Sequence, residues 1–486
     1  MNRQTMLVTG ATLALVILGA ILLYASPGGS PTRPGGGGAK TEKVAKNAKA
    51  KGDKSKGKTP APNKLPVEQL VHAGEIPADR PAAPAGAPNV VLLVLSTQRK
   101  DQWSVYGGPA EVTPFLGGKA KGGTVMGDAL SVAVEPHIAS AALVTGMYPA
   151  HIGLVQLGEK KNNRPIADDA QTLGERFAAG GWFTVGLTAN HVLNQSWGGA
   201  AGFDWYRDAQ QFSLMNDLRI DADDLVAATL ERVGARTDAE KARPLFLEVA
   251  FVDSHKPIKI PPEEFQPFGG PNGEVAPYRA SVRRQDDAVS KLVAGLAAQG
   301  LNAENTVFVV VADNGEGLDM PAHHRKQHGF VLYGSSVQIP WVLWGKGIPA
   351  GKTVDGLASQ IDVAPTVVAL AGVAAQGNFD GMDLSAAVLG KGKSPRTRAY
   401  ADTTYEGMHR ASIWTSAHQC QKDYGSKTLD GDQFVDGCFD RKTDPDFTTT
   451  IQDATLTAEL EKLHGELMTG VGPSDPADAA PTTVGE

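Results

Sequence analysis

Polar side chains that could hold a cation, bind an anion or transfer a proton follow four apolar runs of the chain. They are Ser96, Thr97, Arg99 and Asp101 after the first run, Asn190 and His191 after the second, Asp253 and His255 after the third, and Asp313, Asn314 and Glu316 after the fourth. Ligands of open α/β sheets bind at the carboxyl ends of the strands. The pattern therefore predicts one shared site at a sheet edge, although any single Asp or Asn there could instead be a helix cap or a turn residue.

The apolar runs themselves predict the sheet that would position these groups. Asn89–Leu95 is a continuous apolar, β-branched run, which is typical of a central strand buried on both faces. Similar runs are Trp182–Thr188, Leu245–Val252, Thr306–Ala312 and Ile339–Trp344, and helical stretches between them are Asp169–Ala179, Asp223–Val233 and Tyr278–Gln299. Strands alternating with helices predict an α/β fold with a doubly wound, mostly parallel sheet flanked by helices.

Charge along the chain restricts the class of partner. Residues 1–64 hold eleven Lys or Arg against two acids, a charge of +9, which leaves −16 for the remainder of a chain whose total is −7. An acidic folded part argues against nucleic acid as a partner.

The N-terminal region predicts export. Met6–Ala25 is an apolar run of 20 residues preceded by Arg3, and at ~1.5 Å per residue it just spans a ~30 Å hydrocarbon core. We expect an uncleaved anchor over residues 1–25, with a cleaved signal peptide as the alternative. The expected location is the bacterial inner membrane, single-pass, with the folded domain periplasmic or extracellular, or a secreted protein if the segment is cleaved.

Residues 26–87 are rich in Gly, Lys and Pro and cannot bury a core, so we expect a disordered linker. It is either a solvated spacer or an adhesive segment for anionic lipid or cell-wall polymer. A second disordered stretch is expected at residues 471–486.

Cys420 and Cys438 are the two cysteines of the chain. They form no CxxC pair, which excludes a zinc knuckle. In an oxidising compartment we expect them to form a disulfide; the alternative is two unpaired thiols in a C-terminal loop.

Six segments in order resemble the sulfatase family of the alkaline-phosphatase superfamily. They are Asn89–Gly107, Ala141–Pro149, Asp253–Pro257, Val310–Glu316, the group His328–Gly329 with Tyr333 and Ile339–Pro340, and Ile361–Gly372, with Phe439–Phe447 similar to the family's closing segment. The resemblance implies a sulfatase-like domain over residues 88–395 and a small C-terminal subdomain over 396–470. It also implies hydrolysis of sulfuric or phosphoric esters and therefore an anionic ester as substrate or ligand.

The resemblance implies a divalent cation, usually Ca²⁺, held by Asp and Asn oxygens. Asp313 and Asn314 match the late pair of metal ligands. Ser96, followed by Thr97, stands where the family's first strand ends in a metal-binding Asp. Because a hydroxyl replaces a carboxylate, we expect a weakened metal site.

The nucleophile of the family is a formylglycine made from Cys or Ser at the head of a Cys/Ser-x-Pro-x-Arg motif. On the ungapped register from Gly123 to Gly146, Pro136 takes that position and Ser140 the position of the motif's Arg. No cysteine is near, so formylglycine from Cys is excluded. Other hydroxyls in this region are Ser131 and Thr145, the latter expected to be structural, and Glu135 and His137 are expected to be exposed loop side chains.

The histidines of the family's anion-binding site are matched in part. His255 and His328 match family histidines, and His191 lies where the second strand ends, although the lysine usual there is absent. Residue 330, often basic in the family, is Phe330. The basic stretch 323–326 could supply compensating charge or be simply solvated.

Two hypotheses follow for function. The first is a degenerate sulfatase-like domain that binds a ligand without turnover, because the nucleophile, a metal ligand and an adjacent cation are replaced together. The second is an active hydrolase or transferase that uses Ser140 or a metal-bound water, with His255, His328 and His191 in support. The second requires Ser140 or Ser131 to lie within bonding reach of Asp313 and His328.

Overall fold

Strand β2, Asn89–Leu95, lies inside the larger sheet and pairs in parallel with β6, Leu245–Phe251, on one side and with β7, Thr306–Ala312, on the other. Its apolar run is buried as the sequence predicts, because both faces of the sheet are covered. Val90, Leu92 and Val94 pack into one core cluster, and the residues between them pack into a second cluster across the sheet. The doubly wound α/β prediction is therefore confirmed.

The other strands of the larger sheet are β1 His72–Ala73, β3 Thr124–Leu130, β4 Phe183–Thr188, β5 Trp205–Arg207, β8 Gln338–Ile339, β9 Trp341–Gly345 and β10 Lys352–Ser359. Among the described residues this sheet has ten strands in the order β1-β5-β4-β6-β2-β7-β9-β3-β10, with β8 paired to β3. Strands β4, β6, β2 and β7 run parallel, and so their carboxyl ends meet at one edge.

One predicted strand differs from the expectation. The run Ile339–Trp344 is divided at Pro340 into β8 and β9, and β9 runs antiparallel to β7. Pro340 has no N–H to give to a ladder. The connection after β7 also holds no long crossover helix among its described residues, so the chain re-enters the sheet from the same edge.

Helices cover both faces of the sheet. The first core cluster contains residues of α2 Pro136–Thr145, α3 Leu173–Ala179 and α8 Val363–Ala371, and the second contains residues of α1 Pro114–Lys121, α4 Ala222–Gly234 and α6 Val275–Ala298. Shorter helices are α5 Asp238–Lys241, α7 Gly334–Val337 and α9 Ser385–Val388. The predicted helix Asp169–Ala179 begins later, at Leu173, because Thr172 and Glu175 form a capping box.

The predicted small C-terminal subdomain is present, and it is built on an antiparallel sheet, which the sequence did not indicate. Its strands in order are β11 Ala399–Thr403, β12 Arg410–Trp414, β13 His418–Asp423 and β14 Gly437–Asp440, followed by α10 Ala454–Leu467. Cys420 and Cys438 face each other across β13 and β14 and form the expected disulfide.

The computed structural model describes residues 72–73, 76–155, 157, 165–189, 193–208, 220–270, 273–318, 328–374, 377–427 and 434–469. All of these fall within one compact unit, Leu65–Glu486. The predicted anchor, residues 26–71 and 74–75 of the predicted linker and the tail 471–486 lie outside the described residues. The end of the predicted linker packs against the fold: Arg80 forms an ion pair with Asp204 at 2.6 Å, and Ala83 and Ala87 contact the first core cluster. Within the described ranges, no helix combines the length and apolarity needed to cross a membrane.

Candidate functional site

Asp313, the first residue after β7, is the centre of the polar cluster at the carboxyl edge. Its carboxylate is completely buried and has four protein donors. Oδ1 accepts from the backbone N–H of Thr97 at 2.8 Å and of Asn314 at 2.7 Å. Oδ2 accepts from the hydroxyls of Ser96 at 2.8 Å and Ser140 at 3.3 Å. Burial raises the pKa of Asp313 to about 6, and these hydrogen bonds oppose the rise.

Thr97 follows β2 in an unusual backbone conformation. Its φ is +56°, a left-handed value that a β-branched side chain rarely adopts. The residue is held from both sides, since its N–H donates to Asp313 and its carbonyl accepts from the Tyr278 hydroxyl at 2.7 Å. The same hydroxyl accepts from the Arg99 backbone N–H at 2.8 Å, so α6 fixes the turn after β2.

Helix α2 places the residues that the family resemblance assigns to the nucleophile motif. Pro136 is its first residue, a position whose N–H would have no acceptor within the helix, so the lack of an N–H in proline costs no hydrogen bond. Ser140 comes four residues later on the same face, which brings its hydroxyl to Asp313. Ser131 is not oriented in this way: its Oγ lies 2.7 Å from the Asp313 backbone carbonyl oxygen, a contact that fixes the loop before α2.

The expectation that Glu135 and His137 are exposed is wrong. His137 is only 2% exposed and stacks on Trp197, with the ring centroids 4.3 Å apart. Glu135 is half-buried and caps α2, because its Oε2 accepts from the Ile138 N–H at 2.9 Å. Burial raises the pKa of Glu135, while the capping hydrogen bonds lower it. The Glu135 side chain turns inward to cap α2 and the His137 side chain turns inward to stack on Trp197, and the loop-like sequence indicated neither.

His328 lies close to the cluster and is held by Glu316. The Glu316 carboxylate is fully buried and accepts from the His328 backbone N–H at 2.9 Å, and its Oε2 lies 3.1 Å from His328 Nδ1. Burial by itself lowers the pKa of His328, but the carboxylates of Glu316, Glu135 and Asp313 outweigh it and the pKa rises. His255 lies alongside, with its ring centroid 4.7 Å from that of His328.

The structure thus brings together most of the predicted site. Ser96, Thr97, Ser140, Asp313 and Asn314 form one hydrogen-bonded group, and their proposed chemical roles stay predictions. His191 and the basic stretch 323–326 lie outside the described residues.

Two of the polar residues that follow strands have structural roles. Asp253 Oδ1 accepts from the Ala222 N–H at 3.1 Å and so caps α4, and Asp101 forms an ion pair with Arg99 at 2.5 Å.

Sequence reasoning did not foresee the pairing of Glu316 with His328 and missed Tyr278 altogether. Glu316 appeared among the residues after the strands, but its pairing with His328 depends on a return of the chain that no local pattern reveals. Tyr278 gave no signal beyond its place on the apolar face of a helix, because its hydroxyl bonds to a turn 181 residues away in sequence.

The residues present do not fit the divalent cation that the family resemblance implies. Ca²⁺ takes six to eight oxygen ligands and favours carboxylates, whereas the group offers one carboxylate whose oxygens already have four donors. Thr97 Oγ1 and Asn314 Oδ1 are buried without a hydrogen-bond partner among the described residues, but both are neutral. In the described part of the chain, no set of three His, Cys, Asp or Glu side chains is arranged to hold a metal ion.

The mostly parallel sheet, its polar carboxyl edge and the small antiparallel C-terminal sheet are the architecture of the alkaline-phosphatase superfamily. The family model described as Sulfatase matches residues 88–373, more than half of the chain. The chain therefore belongs to the sulfatase family.

Individual relatives agree with this assignment. Arylsulfatase A of Bos taurus is 28% identical over 372 residues, covering 66% of this chain and 72% of the relative. N-acetylgalactosamine-6-sulfatase of Canis lupus familiaris is 25% identical over 387 residues, covering 68% and 73%.

Solved structures share the fold. The crystal structure of Ps i-CgsB in complex with k-i-k-neocarrahexaose matches with a TM-score of 0.64 and 22% identity, covering 81% of this chain and 96% of that one. A protein in complex with its substrate D-glucosamine-2-N,6-O-disulfate matches with a TM-score of 0.64 and 16% identity, covering 81% and 100%.

Proposed function

We propose that this protein is a membrane-tethered member of the sulfatase family that binds an anionic ester, such as a sulfated saccharide, without hydrolysing it. The observation that carries the proposal is Pro136, which begins α2 at the position that the resemblance assigns to the nucleophile. Proline has no side-chain group that can attack an ester. The neutral hydroxyls of Ser96 and Ser140, at the positions of a metal ligand and a cation, weaken the same chemistry further.

Binding of an anion is supported by the groups that are retained. His255 and His328 lie ring to ring at the carboxyl edge, and although burial lowers the pKa of His328, the neighbouring carboxylates raise it. An imidazolium can donate hydrogen bonds to sulfate oxygens without any nucleophile. The names of the relatives make sulfated sugars the first ligand class to test.

A second candidate function rests on one specific observation. The Ser140 hydroxyl lies 3.3 Å from Oδ2 of Asp313, a carboxylate whose pKa of about 6 would suit a general base. Activation of Ser140 by Asp313 is the form that an active hydrolase or transferase would take in this chain. A metal-bound water would be the other form, and the donor set does not support it.

The deciding experiment is hydrolysis by the full chain purified in mild detergent. Chromogenic sulfate and phosphate mono- and diesters are supplied with Ca²⁺, Mg²⁺, Mn²⁺ or Zn²⁺, and Ser140→Ala and Asp313→Asn serve as matched variants. We expect no turnover above either variant. Turnover that both substitutions abolish would overturn the proposal and establish Ser140 with Asp313 as the rebuilt catalytic pair.

Binding is measured separately by calorimetry, with D-glucosamine-2-N,6-O-disulfate as the probe. We expect saturable binding that His255→Ala weakens by about tenfold or more, the loss of one charge-assisted hydrogen bond. His151→Ala is the control, because that histidine pairs with Asp380 away from the cluster. Equal affinity in both variants would exclude His255 as a ligand of the anion.

A further inference from the structure

The carboxylate of Asp313 is saturated by the protein itself. A carboxylate has about four lone-pair sites, and here two backbone N–H groups share Oδ1 while two serine hydroxyls share Oδ2. A divalent cation could reach Oδ1 or Oδ2 only by displacing one of these donors. The hydroxyls of Ser96 and Ser140 are the donors that the family pattern would not provide.

We infer that Ser96 and Ser140 replace the divalent cation at Asp313, so that this centre is a closed hydrogen-bonded cluster that needs and binds no Ca²⁺. The inference concerns the same site as the proposed function but does not depend on it. A chain that hydrolysed esters without any response to Ca²⁺ would overturn the proposed function and leave this inference standing.

The charges around the cluster support a metal-free centre. Asp313 is the one acid of the hydrogen-bonded group, and its repulsion of the nearby Glu135 carboxylate contributes less to the raised pKa of Glu135 than burial does.

The two unpartnered oxygens do not reverse this balance. Thr97 Oγ1 and Asn314 Oδ1 are buried and could each accept a hydrogen bond from a water molecule. Both are neutral, whereas affinity for Ca²⁺ in proteins increases with the number of charged oxygen ligands. Asn314 is further fixed by donation from its Nδ2 to the Gly315 carbonyl oxygen at 2.8 Å.

The first test is the response of the full chain to Ca²⁺. Thermal unfolding is followed in EDTA and in millimolar CaCl₂, and binding is followed by calorimetry with CaCl₂ and by luminescence of Tb³⁺, a Ca²⁺ substitute. We expect the same melting temperature in both solutions and no saturable binding. A rise in melting temperature with Ca²⁺ that Asp313→Asn abolishes would overturn the inference.

The second test restores the missing carboxylate. Ser96→Asp places a second acid beside Asp313, where Ser96 Oγ now lies 2.8 Å from Oδ2. In EDTA we expect a large loss of stability from the buried like charges, and Ca²⁺ should reverse it, with affinity at least about tenfold above that of the unmodified chain.

Ser96→Asn is the matched control, because it has the same shape without the charge and should gain no response to Ca²⁺. Rescue of Ser96→Asp alone supports the inference. The inference says that Ca²⁺ does not bind because Ser96 stands in place of a carboxylate. It would be contradicted if Ca²⁺ did not stabilise Ser96→Asp, or if Ca²⁺ stabilised Ser96→Asn as strongly. Should neither variant fold, the response of the unmodified chain to Ca²⁺ decides.

Discussion

The hydroxyl of Ser140 lies 3.3 Å from Oδ2 of Asp313, although the two residues are 173 positions apart in sequence. The sulfatase pattern would place an arginine where Ser140 stands. A hydroxyl at this position provides a hydrogen bond to the carboxylate but no charge to an anionic ligand. The contact therefore stabilises the cluster but does not replace the charge that an arginine would bring to an anionic ligand.

Replacing Ser140 with alanine separates these two roles. We expect Ser140→Ala to lower the free energy of unfolding by about 1 kcal/mol, because a buried carboxylate loses one of its four donors. Any residual ester hydrolysis should stay unchanged. Urea unfolding and the chromogenic assay measure the two effects, with Ser412→Ala as a control that removes another fully buried serine hydroxyl far along the chain. Loss of turnover with unchanged stability would assign Ser140 to catalysis.

The left-handed conformation of Thr97 predicts an unusual tolerance of glycine. A non-glycine residue in a sparsely populated backbone region costs about 1–3 kcal/mol, and glycine at φ +56° removes that cost. Thr97→Ala is the matched control, because it also removes the side chain beyond Cβ but keeps a non-glycine residue in the left-handed backbone. We expect Thr97→Gly to be more stable than Thr97→Ala by about 1 kcal/mol. Equal stabilities of the two variants in urea unfolding would show that Thr97 is not strained.

Much of the fold is visible in the sequence because burial on both faces leaves a simple pattern. The run Asn89–Leu95 is apolar at every position after the first and rich in β-branched residues, which is typical of a central strand of a covered sheet. The direction of β9 is not visible, because an apolar run has the same composition whichever way it enters the sheet. It is set by the connection between Asp313 and Val337, whose ends both lie at the carboxyl edge.

The candidate site is visible only in part, for a related reason. Ser96 and Asp313 can be identified from the sequence because each follows a buried strand, and they are neighbours because the two strands are adjacent in the sheet. The inward turn of Glu135 is invisible, because the same glutamate before a proline suits an exposed loop equally well. Its burial follows from the capping bond to Ile138 N–H, which exists only once α2 has formed.

Glu248 gives the fold a dependence on pH that a single substitution should change. It lies in β6 inside the sheet, 4% exposed, and its Oε2 has no hydrogen-bond partner among the described residues. Burial raises its pKa from 4.5 to about 8. Because the folded state holds a proton that the unfolded state releases, the contribution of Glu248 to stability is complete below pH 4.5 and is lost as the pH rises to about 8.

We therefore expect Glu248→Gln to become more stabilising, relative to the unmodified chain, as the pH rises. Each pH unit within that range should increase the difference in free energy of unfolding between Glu248→Gln and the unmodified chain by at most about 1.4 kcal/mol. Relaxation around the carboxylate makes the increase smaller. Urea unfolding across the range measures the slope, and Glu304→Gln, at an exposed position, is the control. A pH dependence that is the same in the unmodified chain and in Glu248→Gln would mean that Glu248 is ionised in the fold.

The disulfide between Cys420 and Cys438 predicts a redox-dependent stability of the C-terminal sheet. The two cysteines are directly opposed on β13 and β14, and the bond closes a loop with a sequence separation of 18. Constraining a loop of this length in the unfolded chain is worth about 3 kcal/mol. We expect dithiothreitol to lower the stability of the unmodified chain by about that amount.

Without dithiothreitol, the double variant Cys420→Ala with Cys438→Ala should be only as stable as the unmodified chain is in dithiothreitol. Adding dithiothreitol should not change the stability of the variant. Alanine is chosen because both positions are almost fully buried and a serine hydroxyl there would need a new partner. Circular dichroism during urea unfolding, with and without the reductant, compares the two chains. If dithiothreitol destabilised the double variant as much as the unmodified chain, the effect would not come from this bond. If it destabilised neither, the antiparallel sheet would be held by its packing against α10, where Leu456 and Leu460 share a core cluster with both cysteines.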